Sequence, residues 1–412
     1  MPTAAPIPRG PMVLTLYSAA DLLTEPGCPV CRYADEAADR YLAWFALEGH
    51  ADVVTITRLC SSVGMCPRHT RGLMRQPGAA TRLTAVYRYV LEAARDRLRG
   101  HADRVSRCPG CERDDGAASR ALDTLLDGLD SIPVRERYRE LGGLCIPHLR
   151  MASARGGHRV VGWLSETMTA IVTAGPASPG WLAGTDYDAD TRAMLRRTVP
   201  AMAWPGSEVC AACLATGRSE TDCLGEILRA GDGGQPDRRL LCGGHLNDLV
   251  VLAGQRSASS LLAWQAGCLA AGLTRRPASS PGAARWLPRS RRRRAGGPVS
   301  CPVCLSAGNA AQRAVDDLRA SLRASHPAPG RRAQLCVRHL LGLRALDPWA
   351  GQVTAGGAAE HADVLIAELD EAFSKNTWAH RHETRGQEMT AWRRAATFLD
   401  GGVFCGGPPR ET

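Results

Sequence analysis

Lysine is nearly missing from this 412-residue chain: of 51 basic residues, only Lys375 is one. Arginine, alanine and glycine are abundant throughout, the imprint of a GC-rich genome. The formal charge of +10 therefore says little about a polyanionic partner, and only clustering of the arginines would count. Aromatic residues make up 5% of the chain. Long apolar runs are also lacking. The most apolar stretch, Leu261–Leu273, is interrupted by Gln265 and too short to span a bilayer. Met12–Tyr17 is too short for the apolar core of an export signal and follows several prolines, so no such signal is expected. Strand patterns are almost absent, with Val53–Thr57 the best β-branched run and an isolated one. No glycine-rich phosphate loop, no Gly-x-Ser-x-Gly elbow and no His-Glu-x-x-His motif occurs, which lowers the case for the enzymes that use them.

Cysteine, in contrast, is plentiful, and twelve of the 16 fall into one repeated pattern. Cys28-Pro-Val-Cys31 is followed after 34 residues by Cys66-Pro-Arg-His69. Cys108-Pro-Gly-Cys111 is followed after 33 by Cys145-Ile-Pro-His148. Cys210-Ala-Ala-Cys213 precedes Cys242-Gly-Gly-His245 by 28, and Cys301-Pro-Val-Cys304 precedes Cys336-Val-Arg-His339 by 31. Each copy supplies three thiolates and one imidazole in two short-spaced pairs, the donor set of tetrahedral zinc. A single Cys-x-x-Cys is weak; four with matching partners are a strong signal. The spacing predicts that each copy closes its own site, about four Zn2+ per chain, although partners traded between copies would keep the same spacing. A Cys3His set also suits an iron–sulfur cluster, the alternative that would make the protein an electron carrier.

The residues around the ligands repeat as well. Fourteen positions after each first cysteine stand Leu42, Leu122, Leu224 and Val315, and seventeen after it stand Phe45, Leu125, Ile227 and Leu318. Apolar residues three apart at a constant offset mark the buried stripe of a recurring helix. Met65, Leu144, Leu241 and Leu335 precede the third cysteines, while Thr70, Leu149, Leu246 and Leu340 follow the histidines. Ser18–Asp21 reads as a capped helix start, Leu83–Leu98 as an amphipathic helix, and Ser257–Leu273 and His361–Phe373 as weaker ones. The expected fold is all-α: four tandem helical repeats of roughly 80–100 residues, each stapled by a metal. The divisions are 18–100, 101–176, 183–274 and 299–400, the last with a charged C-terminal segment. Linkers are read at 174–182 and at 275–298, the latter basic and disordered in composition.

Sites with four protein ligands leave no open coordination position, so a structural role is the leading expectation. A reactive zinc thiolate is the sharper alternative, but nothing in the sequence singles out one copy. Cys60, Cys223 and Cys268 read as small core residues or fall outside the pattern, and Cys405 as an exposed thiol. His380, His382, Glu383 and Glu388 could furnish an acid, base or metal ligand; the plainer reading is a solvated or salt-bridged segment. The run Arg289–Arg294 could touch phosphates of a nucleic acid, or serve only as a solvated linker.

CPVC at 28–31 with Tyr41-Leu-Ala-Trp44, then Gly64-Met-Cys-Pro-Arg-His69, and the closing KNTWAHRHETRGQE of 375–388 with AWRRA at 391–395 together resemble a family of bacterial proteins built from CPxC and CxxH halves and known as a domain of unknown function. The likeness is best in the first and fourth copies and weakest in the third, where Ala211 replaces the proline. It implies bacterial origin and metal sites, and brings no activity. The reading is of a zinc-binding scaffold for a protein partner in a reducing cytoplasm, with no membrane association. An enzyme or accessory protein of a specialised pathway, with a site near His380, His382 and Glu383, is kept as the alternative.

Overall fold

The computed structural model describes residues 18–100, 105–141, 143–155, 157–174, 180–184, 210–231, 241–274, 301–324, 335–380 and 382–401. Among these residues every regular element is helical, as expected. The ligand pairs occupy one recurring local structure. In all eight pairs the carbonyl of the first cysteine accepts from the backbone N–H four residues on, from Arg32 to Cys28 through Leu340 to Cys336. Each pair thus sits on the first turn of a helix, with its two ligands three residues apart on one face.

The helices so begun are α2 (Pro29–Leu47), α4 (Pro67–Met74), α6 (Pro109–Gly128), α8 (Ile146–Arg155), α10 (Ala211–Gly231), α11 (Gly243–Thr274), α12 (Pro302–Ala324) and α13 (Val337–Leu346). The others are α1 (Ala19–Leu22), α3 (Val53–Ser61), α5 (Ala79–Arg99), α7 (Ile132–Leu141), α9 (His158–Ala174), α14 (Pro348–Lys375) and α15 (Ala391–Asp400). Proline at the first helical position of α2, α4 and α6 fits because that N–H has no partner within the helix.

Val53–Thr57, the one strand-like run, is the start of α3. Asp52 caps it, its carboxylate accepting from the Thr55 amide at 2.8 Å, while Thr55 and Leu59 turn inward toward α5. A good cap and tertiary burial outweigh the modest helix penalty of β-branched residues.

Packing joins the copies into a closed ring. α2 lies along α6, joining copies one and two, and α10 lies along α12, joining three and four. α9 packs on α11, joining two and three, and α5 packs lengthwise on α14, joining one and four. Two cores result. One combines the second part of copy one with α13, α14 and α15; the other combines copy two, the start of copy one and copy three. The residues at the repeated offsets lie in these cores: Leu42, Phe45, Leu122, Leu125, Leu224 and Val315 are buried, with Ile227 and Leu318 packed against them.

Part of the 174–182 linker is built into the fold. Gly180–Ala183 forms a 3-10 turn on α11, held there by the buried apolar side chains of Leu182 and Ala183. The basic linker 275–298, with Arg289–Arg294, lies outside the described residues, as does Cys405.

The α5–α14 seam shows what holds the ring shut. Val86, Val90, Leu91 and Ala94 of α5 belong to the same core as Ala355, Ala358, Ala359, Ala362, Leu365 and Leu369 of α14. Small alanines let the helix backbones approach and leave room for the larger side chains of α5. Arg88 to Asp370 at 2.6 Å and Arg95 to Asp363 at 3.0 Å flank the seam. These partly exposed pairs contribute about 0.2–1 kcal/mol each, whereas burying one leucine is worth about 1.5–3 kcal/mol, so the apolar stripe dominates. Replacing fully buried Leu91 with alanine is expected to lower unfolding free energy by about 2–5 kcal/mol. Denaturant titration of the metal-loaded protein checks this.

Candidate metal centres

The sixteen ligand residues expected from the sequence gather into four groups, each with its ligand atoms within 4.8 Å of one another. The grouping corrects the expectation that each copy closes its own site. Cys28 and Cys31 meet Cys145 and His148, and Cys108 and Cys111 meet Cys66 and His69. Cys210 and Cys213 meet Cys336 and His339, and Cys301 and Cys304 meet Cys242 and His245. Copies one and two thus exchange halves, and so do three and four.

Helix length explains the exchange. The 19 residues of α2 carry the chain about 28 Å away from Cys28 before the second pair begins. α6 runs antiparallel to α2. Arg113, near its start, stacks on Tyr41 near the end of α2, with 5.6 Å between guanidinium carbon and ring centre. Gly128 at its end abuts Ala19, just before α2. The pair Cys66/His69 therefore meets the start of the neighbouring helix.

The cluster dimensions suit a single four-coordinate ion. A tetrahedral ion with sulfur at about 2.3 Å and nitrogen at about 2.0–2.1 Å separates two sulfurs by about 3.8 Å and sulfur from nitrogen by about 3.6 Å. Cys31–Cys145, Cys66–Cys111 and Cys242–Cys304 sulfurs are 3.6 Å apart, and Cys213–Cys336 sulfurs 3.9 Å. The Nδ1 atoms of the four histidines lie 3.1 to 3.7 Å from the sulfurs around them. All four rings present Nδ1 inward.

Electrostatics point the same way. Thiols packed this closely do not ionise alike. Hydrogen bonding from Cys111 and Cys66 holds Cys108 far below its usual range, while Cys111 is driven far above it by Cys108 and Cys66. Cys210 is depressed by Cys213 and Cys336, and Cys213 is raised in turn. Bonding from Cys242 brings Cys301 down to about 3. Burial opposes a charge on the His69 ring, but contacts with Asp114, Cys108 and Cys66 outweigh it and lift the ring to about 11. The close-set thiols compete for a single negative charge, and a divalent cation among them lets three thiolates coexist. Two helix N-termini converge on every centre and add their partial positive charge.

The groups that support the ligands carry no signal in the sequence. His69 Nε2 stands 3.0 Å from an Asp114 carboxylate oxygen, which orients the ring with Nδ1 toward the sulfurs. His245 Nε2 has Glu220 at 3.4 Å. These carboxylates stand at different offsets in their copies, six and ten residues after the first cysteine, so no repeated position marks them. Two positive-φ glycines roof two clusters. A β carbon on Gly184 (φ 91°) would lie 3.2 Å from the Cys31 sulfur and 3.4 Å from the Cys145 sulfur. One on Gly401 (φ 72°) would overlap the Cys213 sulfur. Both the left-handed backbone and the close approach require glycine.

The C-terminal candidates do not assemble a site. His380 Nδ1 and Glu383 pair at 2.6 Å on the surface, and His382 is exposed. Glu388 turns inward to the Lys375 ammonium at 3.0 Å and the Gly386 amide at 2.6 Å, fastening the segment to α14. Cys60 and Cys223 stand outside the clusters, each half-buried beside the core. No helix among the described residues is long and apolar enough to cross a membrane.

In Cys31→Ser, hydrogen exchange is expected to accelerate at 145–149 and stay protected at 66–70. Acceleration at 66–70 alone would restore pairing within a copy. Asp114→Ala should weaken metal at the Cys66/His69/Cys108/Cys111 centre by about 10–100-fold, read by chelator competition, and leave the other three unchanged. No family model, curated protein or solved structure matches the chain, so its assignment as an all-helical protein with four Cys3His centres able to hold metal ions stands on this geometry alone.

Proposed function

We propose that the chain is a zinc protein in which four structural ions lock a helical ring that serves as a platform for a protein partner. The observation that carries this reading is the closed coordination set: three sulfurs and one imidazole nitrogen per centre, at the edge lengths of one small tetrahedral ion. Zinc bound there supplies electrostatic cohesion, and four protein ligands leave no position for a substrate. Cysteine and histidine donors favour zinc over oxygen-seeking cations. A polynuclear iron–sulfur cluster inserts its sulfide core between the ligands and needs a wider cage than these centres offer.

The platform role draws on the surface. Trp378 is 79% and Phe373 54% exposed, adjoining the surface pair His380–Glu383 at the end of α14. Such large apolar side chains beside polar ones are typical of contact residues. The cysteines whose side chains are described form no disulfide with one another, which fits a reducing cytoplasm. Kinship with bacterial CPxC/CxxH proteins belongs to the same proposal.

Structural zinc contributes on the order of 10 kcal/mol per site, comparable to the whole net stability of an ordinary domain. Elemental analysis of anaerobically purified protein is expected to give about four zinc per chain and no visible absorption. Iron with sulfide absorption would replace the scaffold with an electron carrier, and little of either metal would end the metal reading.

A further inference from the structure

The four centres are not equivalent, and the differences converge on one. Cys304 is the only ligand cysteine among the twelve that is exposed. In the Cys28/Cys31/Cys145/His148 and Cys210/Cys213/Cys336/His339 centres, Gly184 and Gly401 roof the sulfurs. At the Cys66/His69/Cys108/Cys111 centre His69 is wholly buried and braced by Asp114 at 3.0 Å, and the Cys66 amide donates to the Cys108 sulfur at 3.3 Å. His245 has a longer contact, 3.4 Å, with Glu220 from the facing helix α10. Its own ligand turn is Cys242-Gly243-Gly244-His245, where the other copies have Pro-Arg, Ile-Pro and Val-Arg. Two glycines in a first helical turn leave the backbone least restrained. A cavity of about 510 Å³ also opens against Leu241, Pro302 and Leu305, the neighbours of three of these ligands. Accessible sulfur, a pliant turn and thin packing meet at one place.

We propose that the Cys242/His245/Cys301/Cys304 centre is an oxidant-reactive, metal-releasing site, with Cys304 as the thiolate that hydrogen peroxide modifies. This inference rests on the metal reading above. The Cys304 sulfur attacks one peroxide oxygen; the O–O bond breaks, Cys304 becomes a sulfenic acid, and hydroxide leaves and takes a proton from solvent. The Cys242 thiolate, 3.6 Å away, then attacks the sulfenic sulfur. A Cys242–Cys304 disulfide forms and a second hydroxide leaves to become water. Two thiolates are oxidised by one electron each, and one peroxide is reduced to two waters. Closing from 3.6 Å to a bond of about 2.04 Å asks only a small shift of a glycine-rich turn. His245 and Cys301 remain, too few to retain the ion. The ring would then loosen at the junction of copies three and four while the other three centres stay closed.

The test uses the full-length, metal-loaded protein and one equivalent of hydrogen peroxide per chain. Metal release is followed with a chromophoric chelator and disulfides are mapped by peptide mass spectrometry. The expected result is one fast equivalent of metal, three retained, and a Cys242–Cys304 cross-link. In Cys304→Ser the fast phase should slow at least about tenfold, whereas Cys60→Ser, altering a half-buried cysteine outside the four clusters, should keep it. Release from all four centres together, or a cross-link formed first in another cluster, would overturn the assignment and leave the metal reading intact. Protein isolated without metal would overturn both.

Discussion

Three thiolates confined within a few ångströms repel one another unless a cation stands among them, and the rest of this structure follows from that requirement. Among the described residues the ligands arrive from helix N-termini, so each centre needs two helices brought end to end. A helix of about 30 Å cannot deliver its own second pair back to its start without a long return, but two antiparallel helices side by side place each beginning near the other's end. Reciprocal exchange between neighbouring copies is the compact solution. An ion bound at each centre would then cross-link sequence segments that a hydrophobic core alone would join less firmly.

That arrangement ties the copies together energetically. A copy that owned its site could fold and bind metal alone, as in an open solenoid of independent units. Here the first copy holds half of two centres and the second the other halves, so neither completes a centre by itself. The α5–α14 and α9–α11 seams then close the two exchanged pairs into a ring. The Cys3His groups define the pairs, and apolar seams define how the pairs meet.

Much of this was legible in the sequence. The ligand identities were, because four copies kept both spacing and apolar neighbours. The helical nature was, through the stripe of Leu42 and Phe45 and its equivalents. The pairing was not, since an exchange between adjacent copies preserves every spacing that closure within a copy produces. α14 also reaches further than its pattern over His361–Phe373 indicated. Its earlier turns bury Ala350, Ala355, Ala358 and Ala359, and alanine carries almost no periodic hydrophobic signal. Asp114, Glu220, Gly184 and Gly401 escaped notice because each acts at a single centre from no shared offset.

The most direct test of the exchanged pairing is anomalous diffraction from crystals of the metal-loaded protein, with data on both sides of the zinc absorption edge. Exchanged pairing requires four peaks, each between the Cys-x-x-Cys turn of one copy and the Cys-x-x-His turn of its neighbour: 28/31 with 145/148, 108/111 with 66/69, 210/213 with 336/339, and 301/304 with 242/245. Peaks joining 28/31 with 66/69, or any other pairing within a copy, would contradict it and return the protein to four independently closed repeats.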